Sequence, residues 1–185
     1  MTESEVAAYI YANYDPVITK VVMASPSPVT APILAGIIHR ESAGGLTLKP
    51  PGPAGTGDGG HGRGLCQIDD RYYPRFCAGE DWKDPFLNIS LAKEIIESNY
   101  YYLIKTYSAS ADTVDFEKTM TMACAAYNCG VGGVKRGMKA GYGYDHFTTG
   151  GNYGMEVTRL SKVYKVVAAI ELAKAKDEPN SPAGV

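Results

Sequence analysis

A long stretch rich in glycine and proline limits what this chain can fold into. Residues 44 to 64 read GGLTLKPPGPAGTGDGGHGRG. Glycine destabilises the interiors of helices and strands, and proline removes a backbone donor, so this stretch cannot form a helix or a central strand. We expect a loop or a pair of weak edge strands. Loops of this length inside a compact domain usually carry function.

Apolar residues recur at helical spacing on both sides of this stretch. The pattern predicts helices at about residues 3–13, 16–24, 31–43, 88–107, 115–127 and 152–175, with a break between the first two at Asp15-Pro16. The expected fold class is therefore mainly α, with many helices and a small irregular or β-hairpin segment that is rich in glycine.

Glu41 is unusual because helical geometry turns it toward an apolar face. At about 100° per residue, the apolar residues of helix 31–43 cover an arc of about 140°, and Glu41 falls near its middle. Those residues are Ile33, Leu34, Ile37 and Ile38. A partly desolvated carboxyl group keeps its proton to higher pH, as a general acid requires. The alternative is a glutamate at a helix end that turns out to solvent.

Length and composition favour one globular domain with a sizeable core, since the 185 residues are 45% hydrophobic and 21% charged. A net charge of -2 and a pI near 5.9 offer nothing to attract nucleic acid. No apolar run is long enough to insert into a membrane. The first fifteen residues lack a basic segment followed by an apolar one, so we expect no secretory signal in this sequence.

The four cysteines and three histidines do not form a metal-binding pattern. Cys66, Cys77, Cys124 and Cys129 contain no CxxC pair, and the histidines are scattered, so we expect no metal site. Four cysteines allow three complete disulfide pairings. They also suit free buried thiols, which pack as small hydrophobic groups, and we favour that interpretation.

Two aspartates lie within or just after the glycine-rich stretch: Asp58 in GTGDGGHG and Asp69 in GLCQIDD. A flexible backbone beside a helix end can bring these carboxylates toward Glu41. One protonated carboxyl and one ionised carboxylate farther away is the arrangement that hydrolyses glycosidic bonds. The alternative is that both aspartates only stabilise turns, where this residue is common.

Three motifs together carry a resemblance to a known family. ILAGIIHRESAGG, GRGLCQID and ACAAYNCGVGGVKRG, in this order and at these intervals, resemble goose-type lysozyme, with a broader kinship to lytic transglycosylases. The similarity spans about residues 31–165, including HFTTGGNYGMEVTRLSKVY. It implies a lysozyme-like α+β fold, with an N-terminal helical extension at 1–30, a catalytic domain at 31–176 and a flexible tail at 177–185.

The resemblance assigns roles by position in the motifs. It implies that Glu41 is the general acid and that Asp69 and Asp58 position the attacking water. It also implies that four residues contact the sugar in the cleft, namely Gln67, Tyr127, Asn128 and Tyr153. The alternatives are that Tyr127 is a core aromatic, Asn128 a helix cap and Gln67 a bridge between backbone groups.

The chain departs from the family pattern at four positions. Cys66 stands where the family usually has methionine, and Cys129 where it has alanine. Gly151 and Asn152 replace two acidic residues that often precede the final tyrosine. These replacements leave the acid in place and bear on the details of substrate contact.

The implied activity is a peptidoglycan hydrolase, a muramidase that cleaves the β-1,4 bond between N-acetylmuramic acid and N-acetylglucosamine with inversion and without cofactor. The implied partner is the bacterial glycan strand. A proteinaceous lysozyme inhibitor is a second partner class, and we expect a monomer. The site of action would be the cell wall, extracellular or periplasmic, reached by phage-type release or non-classical export.

Two other activities stay open. A lytic transglycosylase would use one glutamate and form a 1,6-anhydro product, but such enzymes generally lack an acid at the position of Asp69, so hydrolysis is favoured. A catalytically silent sugar-binding module is the other alternative, and the presence of all three carboxyl groups argues against it.

Overall fold

The computed structural model describes residues 1–107 and 115–177, which contain six α-helices and three short strands. The helices are α1 (Glu3–Met23), α2 (Ala31–Ser42), α3 (Pro74–Ala78), α4 (Pro85–Tyr107), α5 (Phe116–Lys139) and α6 (Tyr153–Asp177). The strands are β1 (Thr56–Gly57), β2 (Gly62–Arg63) and β3 (Ile68–Asp69). This confirms the predicted fold class. Of the predicted tail at 177–185, residues 178–185 lie outside the described residues.

Helix α2 lies in the middle of the core, packed against α1 and α6. Leu34, Ile37 and Ile38 are fully buried. Gly36 allows the close approach of α6, since a Cβ atom at this position would lie 2.6 Å from the carbonyl oxygen of Val157. The helix ends at Ala43, which takes a left-handed conformation with φ 48°. Glu41 is therefore held in the last turn of a helix whose other face is fixed by packing.

The predicted break in the first helix is wrong. Helix α1 continues through Pro16 from Glu3 to Met23. Proline removes one hydrogen bond from a helix, but a buried stripe that includes Ile10, Tyr14 and Ile18 holds both halves against the core. This helix packs on α2, α4 and α6. The division into an extension at 1–30 and a catalytic domain stays a prediction.

The helix predicted at about 115–127 is interrupted close to its predicted end, but a second helical segment follows. The helical path runs on to Lys139 through a kink at Gly130, whose φ of 69° and ψ of 159° are not helical. Glycine tolerates this left-handed φ, so the chain changes direction there without ending the helix. Beyond the kink, Val134 is fully buried and anchors the second segment.

The glycine-rich stretch forms a small antiparallel sheet in the order β1-β2-β3. Thr56 pairs with Arg63, and Gly62 pairs with both Gly57 and Asp69. The expected weak hairpin is therefore present, extended by a third strand. Asp58 begins the turn between β1 and β2, and Asp69 ends β3, so the sheet brings the two aspartates to one end.

All four cysteines are free thiols, as the sequence favoured. Cys66 and Cys124 are buried, and Cys77 and Cys129 are partly exposed. Burial raises the pKa of every one of these thiols, including that of Cys124 to about 12.

Candidate active site

The carboxyl group of Glu41 is partly buried at the end of α2. Burial raises its pKa to about 7, and the negative charge of Asp58 acts in the same direction. The hydroxyl of Tyr153 donates a hydrogen bond to Glu41 Oε1, and this bond and the charge of Arg40 act in the opposite direction. Desolvation outweighs both, so Glu41 holds a proton near neutral pH and can donate it.

Tyr153 is fixed in front of Glu41 by its surroundings. Its ring is buried, and the guanidinium of Arg40 lies 5.3 Å from the ring centroid. Its backbone N–H donates to Thr148 Oγ1 at 3.2 Å. The buried carboxylate of Asp145 accepts a hydrogen bond from the N–H of Gly154 at 2.7 Å, which satisfies a free donor at the start of α6. Neither Arg40 nor Asp145 was predicted from the sequence as a site residue.

One guanidinium joins the two aspartates. Arg71 Nη2 lies 2.5 Å from Asp69 Oδ2 and 3.0 Å from Asp58 Oδ2, and Arg71 Nε lies 2.9 Å from Asp69 Oδ1. Its hydrogen bonds and charge hold the pKa of Asp69 below the usual range. Asp69 is therefore ionised at a pH where Glu41 is still protonated. Arg71 was missed in the sequence, although it follows Asp69 by only two residues.

Two polar side chains anchor the loop that carries the aspartates, Ser42 from the acid-bearing helix α2 and Asn88 from α4. Ser42 donates from its hydroxyl to the carbonyl oxygen of Leu65 at 2.7 Å. The buried amide of Asn88 accepts from the N–H of Cys66 at 2.9 Å and donates to the carbonyl oxygen of Arg63 at 3.0 Å. Asn88 was also missed, because nothing in a single sequence indicates that a residue of α4 faces this loop.

Gln67 lies in the turn between β2 and β3, with its side chain against Gly57 and Gly62 of the small sheet. Its side-chain Nε2 donates to the carbonyl oxygen of Gly64 at 2.8 Å. Cβ atoms at Gly57 and Gly62 would lie 2.2 and 2.1 Å from its Oε1, so a side chain at either position would displace the Gln67 amide. The Gln67 side chain thus bonds to one backbone group, and its contact with substrate stays a prediction.

Tyr127 and Asn128 lie just before the kink of α5. The hydroxyl of Tyr127 donates to the carbonyl oxygen of Cys66 at 2.7 Å, which joins α5 to the loop before β3. Asn128 is exposed, and its Oδ1 accepts from the N–H of Thr149 at 2.8 Å. Asn128 therefore ties α5 to the segment that leads to Tyr153. The predicted contacts of both side chains with sugar are not tested by these bonds.

A separate depression of about 650 Å³ lies between α4 and α5. Its walls include Tyr102, Lys135 and Lys139, and none of the three candidate catalytic carboxyl groups lines it.

In the described part of the chain, no group of three or more acidic, cysteine or histidine side chains is placed to hold a metal ion. None of the helices described here combines the length and apolar character needed to cross a membrane.

Comparison with known proteins adds one finding to this geometry. A family model described as Lysozyme g matches residues 4–167, which is most of the chain and extends from α1 into α6. A search of curated proteins gives no match.

Proposed function

Because the chain belongs to the lysozyme g family, whose members degrade peptidoglycan, we propose that it hydrolyses the β-1,4 bond between N-acetylmuramic acid and N-acetylglucosamine with inversion. The observation that carries this proposal is the pairing of opposite protonation states. Burial keeps Glu41 protonated to about pH 7, while Arg71 keeps Asp69 ionised. A protonated carboxyl and an ionised carboxylate are the two groups that inverting hydrolysis needs.

The first half of the reaction uses the proton of Glu41. Glu41 donates it to the glycosidic oxygen as the bond from that oxygen to the anomeric carbon breaks, and positive charge develops on the sugar ring. The Glu41 carboxylate that results is stabilised by the hydrogen bond from Tyr153. Tyr153 thus stabilises the charged state that forms during the step.

The second half uses one water molecule. Asp69, assisted by Asp58, orients this water on the face of the sugar opposite the leaving group, and its oxygen bonds to the anomeric carbon. Asp69 takes up the proton that the water loses, and a later exchange with solvent returns both carboxyl groups to their starting states. Arg71 is the positioning residue for this pair, because its guanidinium contacts both carboxylates. These steps call for no cofactor.

The remaining predicted contacts complete the proposed cleft. Gln67 lies in the loop between Gly64 and Asp69, and Tyr127 bonds to this loop. Asn128 follows Tyr127 and bonds to the segment before Tyr153. We assign all three to holding the sugars on either side of the cleaved bond. We further propose that the protein acts as a monomer at the cell wall, outside the cytoplasm, and that a proteinaceous inhibitor is its second partner class.

Product analysis tests the proposal. Digestion of purified peptidoglycan should release muropeptides with a free reducing end, as seen by mass spectrometry. Proton NMR early in the cleavage of an oligosaccharide should show the α-anomer first, because water attacks from the face opposite the leaving group. Products lighter by one water molecule would indicate an anhydro ring and therefore a lytic transglycosylase. A β-anomer formed first would rule out inversion.

A further inference from the structure

Three aromatic rings form an exposed cluster in the segment between α5 and α6. The ring centroids of Tyr142 and His146 lie 4.5 Å apart at an angle of 35°, and those of His146 and Phe147 lie 4.8 Å apart at 82°. Tyr142 is 66% exposed and Phe147 is 44% exposed. We call these three side chains the aromatic platform. Its rings are available to a ligand, and none of them takes part in the reaction proposed above.

The platform is held rigidly on the second segment of α5. A Cβ atom at Gly137 would lie 2.2 Å from the carbonyl oxygen of Gly143, so the backbone of the segment lies directly against the helix. The guanidinium of Arg136 lies 5.3 Å from the ring centroid of Phe147. Rings that are already packed lose little conformational freedom when a ligand binds to them.

The platform also lies next to the proposed cleft. The segment that carries it is tied to Asn128 through the N–H of Thr149, and to Tyr153 through the hydroxyl of Thr148. Phe147 is two residues before Thr149, a span of at most about 7 Å along the chain. A glycan strand that contacts Asn128, as predicted, would therefore have the platform within reach.

We propose that the aromatic platform binds a sugar ring of the glycan strand outside the cleft. This inference rests on the proposed function, because that function supplies a polymer long enough to reach from Glu41 to the platform. The face of an aromatic ring carries negative partial charge, which attracts the C–H groups on the apolar face of a pyranose. Arg136, beside Phe147, offers hydrogen-bond donors to the acetamido oxygen of the same sugar or to a carboxylate of its peptide.

Binding measurements in an inactive background test the platform without cleavage of the ligand. Two proteins would be titrated with a trisaccharide and a hexasaccharide of N-acetylglucosamine. The first is Glu41→Gln, and the second is Glu41→Gln that also carries Tyr142→Ala and Phe147→Ala. We expect about tenfold weaker binding of the hexasaccharide when both rings are lost, because two aromatic contacts typically contribute a binding free energy of this size. Binding of the shorter trisaccharide should not change, since we expect it to bind in the cleft without reaching the platform.

Two controls separate loss of the rings from general damage. Phe116→Ala removes an exposed ring at the start of α5, about 20 Å along the helix from the kink, and should leave hexasaccharide binding unchanged. Tyr142→Phe keeps the ring and should also bind as the parent does. If the double variant is unfolded by circular dichroism, Tyr142→Ala alone gives the same comparison.

The outcomes divide cleanly. If the loss of the rings leaves hexasaccharide binding unchanged, or weakens binding of both ligands equally, the inference about the platform is wrong. In that case, wall lysis by the unmodified protein would still support the proposed function. Failure of the unmodified protein to clear a wall suspension overturns the proposed function, whereas a length-dependent loss of binding would still support a sugar site on the platform.

Discussion

Tyr153 donates a hydrogen bond to the carboxyl group of Glu41 across the contact between α6 and α2. The two residues are 112 positions apart in the chain, so neither helix alone sets the proton affinity of the acid. Burial by the packed core raises the pKa of Glu41 to about 7, and Tyr153 limits that rise. The chemistry of the site therefore depends on how these two helices pack.

Removal of the acid should abolish most of the activity. Glu41→Gln keeps the shape and a hydrogen-bond acceptor for Tyr153 but has no proton of suitable acidity, so kcat should fall about 10²- to 10⁴-fold. Clearing of a wall suspension and release of reducing ends would measure the change. Glu94→Gln, on the exposed face of α4, is the matched control and should behave as the parent. A fall of less than tenfold for Glu41→Gln would remove Glu41 from the mechanism.

The activity should decline as the pH rises through about 7, because Glu41 loses the proton that it donates. The Tyr153 hydrogen bond favours the ionised form, so Tyr153→Phe should raise the pKa of Glu41 further and move the alkaline limb of the rate profile to higher pH. Rates measured from pH 4 to 9 with the parent and with Tyr153→Phe would show this shift of the alkaline limb. A limb that moves to lower pH would contradict the assigned role of Tyr153.

Loss of Arg71 should instead change the acidic limb of the pH–rate profile. Arg71 holds the pKa of Asp69 low, so Arg71→Ala should raise that pKa and move the acidic limb to higher pH, with a lower kcat and little change in KM. Arg71→Lys should restore part of the rate, since it keeps the charge without the two-atom contact. Arg75→Ala, an exposed arginine of α3, is the control. An acidic limb that stays in place in Arg71→Ala would mean that Arg71 is only structural.

The ionised form of Glu41 should lower the free energy of unfolding at alkaline pH. Its pKa in the folded protein, about 7, lies above its ordinary value of 4.5, so the folded state binds more protons between these values and stability falls as the pH rises through them. At pH 8, Glu41→Gln should be more stable than the parent by about 1–3 kcal/mol, a figure reduced because the side chain keeps some contact with water.

This stability difference has its own internal control. At pH 4 the carboxyl group is protonated in both states, so the two proteins should then unfold at nearly the same urea concentration. Equal stability of the two proteins at pH 8 would show that Glu41 is not destabilised when ionised.

The contact between α2 and α6 should tolerate no added methyl group. A Cβ atom at Gly36 would lie 2.6 Å from the carbonyl oxygen of Val157, so Gly36→Ala must push the helices apart and should cost about 1–3 kcal/mol. The same displacement should lower kcat, because Glu41 and Tyr153 lie on opposite sides of this contact. Gly79→Ala, where the added atom meets nothing within 4 Å, is the control for thermal unfolding and rate.

The sequence predicted best where a periodic pattern decides the structure. Glu41 was placed on the apolar face of its helix because Leu34, Ile37 and Ile38 recur at helical spacing, and the structure places these three residues in the core. The glycine-rich stretch was predicted as a loop or a pair of weak edge strands because glycine and proline exclude a helix and a central strand. Both predictions follow from local chemistry that is independent of the rest of the fold.

The sequence predicted poorly where tertiary packing overrides local preference. Pro16 lies inside a helix despite its high cost there, and a second helical segment follows the non-helical Gly130. In both places the apolar residues of the helix are fixed by the core. Arg71 and Asn88 were missed for a related reason. Their partners are determined by how the sheet and α4 lie against each other, and this cannot be read from residue spacing.

The absence of crosslinks among Cys66, Cys77, Cys124 and Cys129 has a consequence for how the protein matures. Since burial keeps these sulfur atoms protonated at neutral pH, little thiolate is present to attack an oxidant or a neighbouring disulfide. The native state can therefore form under reducing conditions, with neither a disulfide isomerase nor an oxidising compartment required.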